Sequence, residues 1–302
     1  MNKPQKISVL TSLYDCETFL RNYFEALSEI NGKEQIEVLL LHNAPTDNEL
    51  NIVNEYLPSM EFVRHIVIPE RENLYCSWNR GIELSQGEYI TVWNVDDVRF
   101  PKSILHQAEA LDKTPQAAMV YGDIWISNQY GVQGSIRTYA PLYNYKKEFW
   151  KSYHASCFQM WRKSIHSGLG YYDEQFKCSA DFDFQIRVAL HYPLVKVEEL
   201  LGIYLEDQPH KLSANGLQEL ENNIIYLRYG VYEKVNFFTT RLSLKKYNRS
   251  SLLFFGQWHA LQARTPFSFL SRTGGVCCGI VQSVWKQMKT IVKKLLIKNK
   301  TC

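Results

Sequence analysis

The sequence predicts an open α/β sheet of mostly parallel strands with helices on its faces. Three observations predict it. Five apolar runs recur through the first 122 residues, segments of helical periodicity separate them, and polar or glycine-containing turns bound each one. The runs are nearly continuous in Val, Ile and Leu rather than alternating, as strands buried on both faces must be.

The elements follow in order. Ile7–Leu13 reads as the first strand. Phe19, Leu20, Tyr23, Phe24, Leu27 and Ile30 recur at helical spacing after it. Ile36–Leu41 is a second strand, and Thr46 followed three residues later by Glu49 is a capping-box signal for a short helix towards Leu57. Phe62–Ile68 is a third strand. A helix from Tyr75 to Leu84 then leads to the strand Tyr89–Trp93, a helix over Ile104–Leu111 to the strand Ala117–Tyr121. Beyond residue 122 the pattern is mixed: a loop or hairpin at Asn128–Gly131, a strand at Ser156–Trp161, a helix at Asp181–His191, a short strand at Leu194–Val197 and a helix from Leu217 to Tyr232.

Charge divides the chain. The net charge is +3, yet no Asp or Glu follows Glu233, while 13 of the 34 Lys and Arg residues do. The first 233 residues therefore carry 21 basic against 31 acidic groups. A basic block of this kind points to a polyanionic partner. Within it Val281, Val284, Trp285, Met288, Ile291, Val292 and Leu295 form one helical stripe, with Lys286, Lys289, Lys293 and Lys294 mostly off it. Such a helix suits an anionic membrane surface; the alternative is a helix packed on the body with its basic face in water. The apolar stretch from Gly274 to Trp285 is too short to span a bilayer, which takes about 20 residues. No apolar leader opens the sequence, and the seven cysteines are scattered without metal-type spacing, so free thiols in a reducing cytoplasm are expected.

The densest chemistry lies in Glu88–Asp97. The strand there ends in Asn94, Asp96 and Asp97, hard oxygen donors at the carboxyl end of a strand, where open α/β sheets bind their ligands. Two carboxylates suit a Mg²⁺ or Mn²⁺ ion that also holds substrate phosphates. The competing reading is a turn that caps the helix beginning near Pro101.

Five segments, in order, resemble the inverting family 2 glycosyltransferases of the GT-A type, over roughly residues 6–215. They are Val9–Asp15; Leu40–Asn48; Leu74–Gly81; Gly87–Ile90 with Asn94–Asp97; and Gly170–Phe176 with Ser179–Arg187. The resemblance implies a Rossmann-like sheet with flanking helices, as a domain over 1–215 whose nucleotide-sugar half covers about 1–122 and acceptor half about 123–215. A basic helical extension over 216–302 follows. It implies a metal at Asp96 with Asp97 beside it, Asp181 as general base, and Tyr14, Asn43, Asn79, Arg80 and Asn94 facing the donor. It also sets His154 and His210 in the acceptor or pyrophosphate region.

Each role has a bland counterpart. Asp181 and Asp183 also read as first-turn carboxylates favoured by the helix dipole, Tyr14 as a core ring, Arg80 as a solvated surface charge. Two positions depart from the family: His42 and Asn43 stand where it has a pair of Asp residues, and Asn94 where many members have Asp.

The expected activity is transfer of a sugar from a nucleotide diphosphate sugar, UDP favoured, to a hydroxyl. The acceptor would be a lipid-linked saccharide or surface polysaccharide at the cytoplasmic face of a membrane, and Mn²⁺ or Mg²⁺ the cofactor. The rival from another class is a binding or scaffold protein without catalysis. A nucleotidyltransferase shares the sheet but not the Ala180-Asp-Phe-Asp183 segment. No Gly-x-Ser-x-Gly elbow, Gly-x-Gly-x-x-Gly turn or phosphate loop occurs, and nothing resembles a nucleic-acid reader.

Overall fold

The computed structural model describes residues 6–134, 136–138, 140–143, 146–206, 216–240, 244–261, 275–285 and 287–289. In chain order these form β1 (Ile7–Leu13), α1 (Glu17–Ser28), β2 (Ile36–Asn43), α2 (Asp47–Tyr56), β3 (Val63–Ile68), α3 (Leu74–Leu84) and β4 (Tyr89–Val92). Then come β5 (Val98–Arg99), α4 (Ser103–Lys113), β6 (Met119–Gly122), β7 (Trp125–Ser127), β8 (Ile136–Arg137), α5 (Lys146–Lys151) and β9 (Met160–Arg162). Next follow α6 (His166–Leu169), α7 (Ala180–His191), β10 (Leu194–Val197), β11 (Gly202–Leu205), α8 (Leu217–Tyr229) and α9 (Phe237–Thr240). The hairpin β12 (Ser251–Phe254) and β13 (Gln257–Ala260) precedes a helix, α10, over 275–285 and 287–289.

The described residues divide into two compact units: residues up to Lys211 with Leu253–Gln257, and Leu212–Leu252 with Trp258 onward. The first contains a seven-stranded sheet of order β10-β6-β9-β4-β1-β2-β3. β1 runs parallel to β2 and β4, β2 to β3 and β10 to β6; β9 alone is antiparallel, between β4 and β6. A second sheet has the order β5-β11-β7-β8.

The apolar runs explain the core. Every residue of β2 and β4 is buried, and α1 lays Leu20, Tyr23, Phe24 and Leu27 against the sheet. Each such side chain contributes about 1.5–3 kcal/mol by leaving water. The capping box forms as expected: Thr46 accepts from the Glu49 N–H at 3.2 Å, and Glu49 accepts from the Thr46 N–H at 2.9 Å. The strand order reverses direction between β1 and β4, so a crevice opens at their carboxyl ends.

Two expectations need correction. The strand expected over Ser156–Trp161 is confined to Met160–Arg162, because Ser156 adopts a left-handed φ of 61°, which breaks an extended run. The helix expected to reach Tyr232 stops at Tyr229, where Gly230 caps it with φ 75°. His210 lies outside the described residues, as do Lys286 and the end of the stripe at Ile291, Val292 and Leu295.

Helix α7 separates its two acidic residues. Residues two apart on a helix point about 200° from each other. Asp183 turns inward, fully buried, and pairs with the equally buried Arg187 at 2.8 Å. Arg187 also donates to the Leu169 and Tyr171 carbonyls, both at 2.7 Å, so one buried charge pair anchors the start of the Gly170–Phe176 segment. Asp183→Ala is expected to cost about 3–5 kcal/mol by leaving the guanidinium uncompensated. Urea unfolding measures this; a loss well below 1 kcal/mol would refute the anchoring role.

Candidate functional site at the carboxyl edge of the sheet

Chain segments with unusual backbone gather at the carboxyl edge. Asp15 follows β1 with φ 46°, Ala44 follows β2 with φ 42°, and Ser156 lies in the loop that enters β9. Among the described residues these are three of the four non-glycine residues in the left-handed region. Such strain clusters where a fold must aim groups at a ligand.

The strand β4 delivers Asn94, Asp96 and Asp97. Asp97 is buried and turned inward: Oδ1 accepts the Leu205 N–H at 3.1 Å and Oδ2 the Asn94 amide N–H at 3.1 Å. Its backbone carbonyl accepts the Trp93 indole N–H at 2.9 Å. Asp97 thus ties the turn to β11. Asp96, the residue before it, is half-buried. Its charge, with that of Asp97, adds to the burial that raises the hydroxyls of Tyr130 and Tyr204 and the Cys157 thiol.

Behind them Arg99 is buried. It donates to the Val92 carbonyl at 2.9 Å, the Phe158 carbonyl at 3.1 Å and Gln107 at 2.8 Å, and also to Thr91. Burial pulls its guanidinium down to about 9, with the Asp97 charge working against this.

Asp181 opens α7. It is half-buried; Oδ1 accepts the Phe182 N–H at 2.8 Å and the Tyr75 hydroxyl at 3.3 Å, and the Tyr153 hydroxyl also faces the carboxylate. Burial pushes its carboxyl up to about 6, against the pull of these hydrogen bonds. The loop 153–158 joins the two carboxylate regions: Cys157 lies in the field of Asp97 and Asp96, and Tyr153 in that of Asp181. Gln185, one turn after Asp181, fastens this loop. It accepts the His154 and Ala155 N–H groups at 2.7 and 2.8 Å and donates to the Phe149 and Ser152 carbonyls at 2.7 and 2.9 Å.

The remaining candidates distribute unevenly. Tyr14 is exposed at the end of β1, and the Arg71 guanidinium lies 3.9 Å from its ring centroid while donating to its hydroxyl at 3.2 Å. Asn43 is turned inward, donating to Ser77 at 2.8 Å and accepting the Glu72 N–H at 3.3 Å. Asn79 is buried and pins α3 to Tyr172 and Glu174 at 2.9 Å each. Arg80 pairs with Glu72 at 2.8 Å on the surface. His154 packs edge-on against Phe149, its Nε2 buried without a hydrogen-bond partner, and burial lowers its basicity.

Sequence reasoning missed Arg71, Tyr75, Tyr153, Gln185 and Arg99. Only Gln185, a polar residue inside the apolar run of α7, and Arg99, just past the acidic doublet, left a trace in the pattern. Arg71 lies in a loop whose path no periodicity reports.

Among the described residues no group of three His, Cys, Asp or Glu side chains is placed to hold a metal. The donor set at the end of β4, one half-exposed carboxylate beside an amide oxygen, fits a Mg²⁺ or Mn²⁺ ion whose other ligands are substrate phosphates and water.

The substitution at His42 has a local reason. Its ring is fully buried, with Nε2 3.6 Å from the buried Glu49 Oε2 and Nδ1 3.0 Å from His65 Nε2. Burial lowers its pKa, so it is neutral near pH 7. An Asp here would meet the Glu49 carboxylate. His42→Asp is expected to cost about 3 kcal/mol or more near neutral pH, a loss relieved on acidification as the raised carboxyl takes up a proton. Denaturation at two pH values checks this; a loss equal at both would be the contrary result.

Against known proteins, the glycosyl transferase family 2 profile matches residues 8–170. An uncharacterised glycosyltransferase of Methanocaldococcus jannaschii is 25% identical over 211 residues, 68% of this chain and 71% of the relative. Among solved structures, S. aureus TarS 1–349 in complex with UDP-GlcNAc superposes with a TM-score of 0.63 at 14% identity, over 79% of this chain and 73% of that one. The mannosyltransferase PcManGT of Pyrobaculum calidifontis, in complex with GDP-Man and Mn²⁺, gives a TM-score of 0.54 at 10% identity over 79% and 66%. With its mostly parallel sheet and the match over more than half its length, the chain belongs to glycosyl transferase family 2 and has the GT-A fold.

Proposed function

We propose that this glycosyltransferase moves a sugar from a nucleotide diphosphate donor to a hydroxyl acceptor in one displacement, with inversion at the anomeric carbon. The observation that carries the reading is Asp181: a half-buried carboxylate on the acceptor-side helix, pushed up to about 6 and so matched to proton transfer near neutral pH. The acceptor oxygen gives its proton to Asp181 and bonds to the anomeric carbon. The bond from that carbon to the diphosphate oxygen breaks, and the nucleoside diphosphate leaves with the electron pair.

On the donor side Asp96, with the Asn94 amide beside it, would hold a Mg²⁺ or Mn²⁺ ion. Such an ion, when bound, offsets charge on the departing diphosphate. Asp97, Asn79 and Asn43 support this site by fixing the turn, α3 and the end of β2. Tyr14 offers a ring on which a base stacks, with Arg71 at its face. The TarS complex with UDP-GlcNAc favours a UDP-sugar, and the PcManGT complex with GDP-Man and Mn²⁺ supports a metal-dependent site. A lipid-linked or surface saccharide at an anionic membrane is the acceptor class that the basic C-terminal block favours. The second reading, donor binding without transfer, is favoured by Asn43, whose amide is engaged internally where the family's acidic pair stands.

Two experiments separate these. Asp96→Ala is expected to abolish the Mn²⁺-dependent thermal stabilisation given by one nucleotide-sugar class in a UDP, GDP and dTDP panel. Stabilisation by no donor in the wild type would remove the transfer reading. Asp181→Asn is expected to lower kcat about 10²–10⁴-fold while leaving donor stabilisation in place. The wild-type kcat/KM should fall on the acid side with a midpoint near 6, the value to which the base is raised.

The sign of its effect on stability follows. The folded carboxyl holds its proton more tightly than the unfolded one, so its ionisation opposes folding. This cost is absent below about pH 4, grows as pH rises to about 6 and is full above that. Asp181→Asn removes it and should stabilise the fold by roughly 1–2 kcal/mol at pH 7.5, after allowance for partial exposure, but not at pH 4. Stabilisation equal at both pH values would contradict a raised carboxyl.

A further inference from the structure

The helix α10 is packed in the reverse of the usual sense. Its inward face is made of Gly275, Gly279 and Ser283, four residues apart. The Ser283 hydroxyl donates to the Gly279 carbonyl at 2.7 Å and accepts the Phe237 N–H at 3.1 Å. A Cβ on Gly279 would come within 2.2 Å of the Tyr232 carbonyl oxygen, so only glycine permits this approach to the 232–237 segment. The large apolar residues point the other way. Ile280, Val281, Val284, Trp285 and Met288 are exposed, from 42% at Val284 to 68% at Val281. They fall on one side of the helix, because successive members are one or three residues apart and together span about 140° of its circumference. Lys289 sets its ammonium 5.3 Å from the Trp285 ring centroid.

Among the described residues of α10 the apolar stripe is therefore not the face that packs within its own unit. Among the described residues no helix is long and apolar enough to cross a membrane. We propose that the Ile280–Met288 face of α10 is a docking surface for an anionic lipid bilayer, entered to the depth of the headgroups while the Gly275–Ser283 face stays packed on its own unit.

Charge selects this occupant. The chain from residue 234 to 302 carries 13 Lys and Arg residues and no Asp or Glu, so a second copy of this surface would bring like charges together. A membrane bearing anionic lipid supplies both the apolar layer and the counter-charge. Trp285 with Lys289 has the composition of an interfacial anchor, an amphipathic ring at headgroup level beside a cation that reaches the phosphates. The surface is independent of the transfer chemistry, so an inactive Asp181→Asn chain should bind vesicles as the wild type does.

Flotation of the full chain with phosphatidylcholine vesicles, with and without about a third phosphatidylglycerol, tests the proposal. The expected result is binding to the anionic vesicles that weakens in high salt. The double variant Val281→Ser, Trp285→Ser should lower that partitioning at least about tenfold with an unchanged melting temperature, since both side chains are exposed. Gly279→Leu is a second probe: it should lower the melting temperature by displacing the helix from the 232–237 segment. Unchanged vesicle binding by the double variant, or no binding by the wild type, overturns the proposal. So does concentration-dependent dimerisation that the double variant abolishes, because the face would then belong to a second copy. A captured acidic protein with no affinity for vesicles would do the same.

Discussion

The buried guanidinium of Arg99 holds together the two strand ends from which the site is built. β4 and β9 run in opposite directions, so the end of one and the approach to the other lie side by side at the carboxyl edge. Nothing in the strand ladder itself fixes the chain beyond those ends. Arg99 does so by donating to the Val92 carbonyl, one residue before Trp93, and to the Phe158 carbonyl, two residues before β9. Its position makes the Asn94–Asp97 turn and the loop 153–158 a single object. A buried cation costs free energy unless its hydrogen bonds are filled. Here Gln107, Thr91 and two carbonyls bond the two terminal nitrogens, Nε is buried without a hydrogen-bond partner, and the nearby Asp97 charge supplies part of the compensation.

From that frame the division of labour among carboxylates follows. Asp97 and Asp183 are buried and spent on structure, one accepting from Leu205 and Asn94, the other paired with Arg187. Asp96 and Asp181, one residue before Asp97 and two before Asp183, keep a partly open face. In each pair the inner acid fixes the backbone that aims the outer one. Burial raises the Asp181 carboxyl to about 6, with no cation among the groups acting on it, whereas Asp183 is paired with Arg187.

Much of this was legible in the sequence, and the reasons it was or was not are physical. Strands buried on both faces leave continuous apolar runs, so β1 and β10 were read with their observed limits and β2, β3, β4 and β6 within two residues. The short strands β5, β7, β8 and β11 carry two to four residues each, too few for any period to register. The acidic doublet was visible, but which acid turns inward depends on the Leu205 N–H arriving from 108 residues away. On α7 the answer was nearer to hand, because Arg187 stands four residues after Asp183 and not after Asp181, which selects the paired acid by helical spacing alone. The expected strand at Ser156 failed because a left-handed residue leaves no mark when the side chain is not glycine.

The helix α10 shows the same limit from the other side. Periodicity finds an apolar stripe but cannot say whether the stripe packs or faces water, since both arrangements have period 3.6. The deciding signal is the smaller residues. Gly275, Gly279 and Ser283 repeat at a spacing of four, and at Gly279 the helix comes so close to the Tyr232 carbonyl that no side chain would fit there. When a helix has one stripe of small residues and another of large apolar ones, close packing through the first commits the second outward. The geometry of Ser283, whose hydroxyl bonds on both sides of the contact, makes that commitment specific. What reads in the sequence as one amphipathic helix is thus two surfaces, one that fixes the helix to its own unit and one left for an apolar, anionic neighbour.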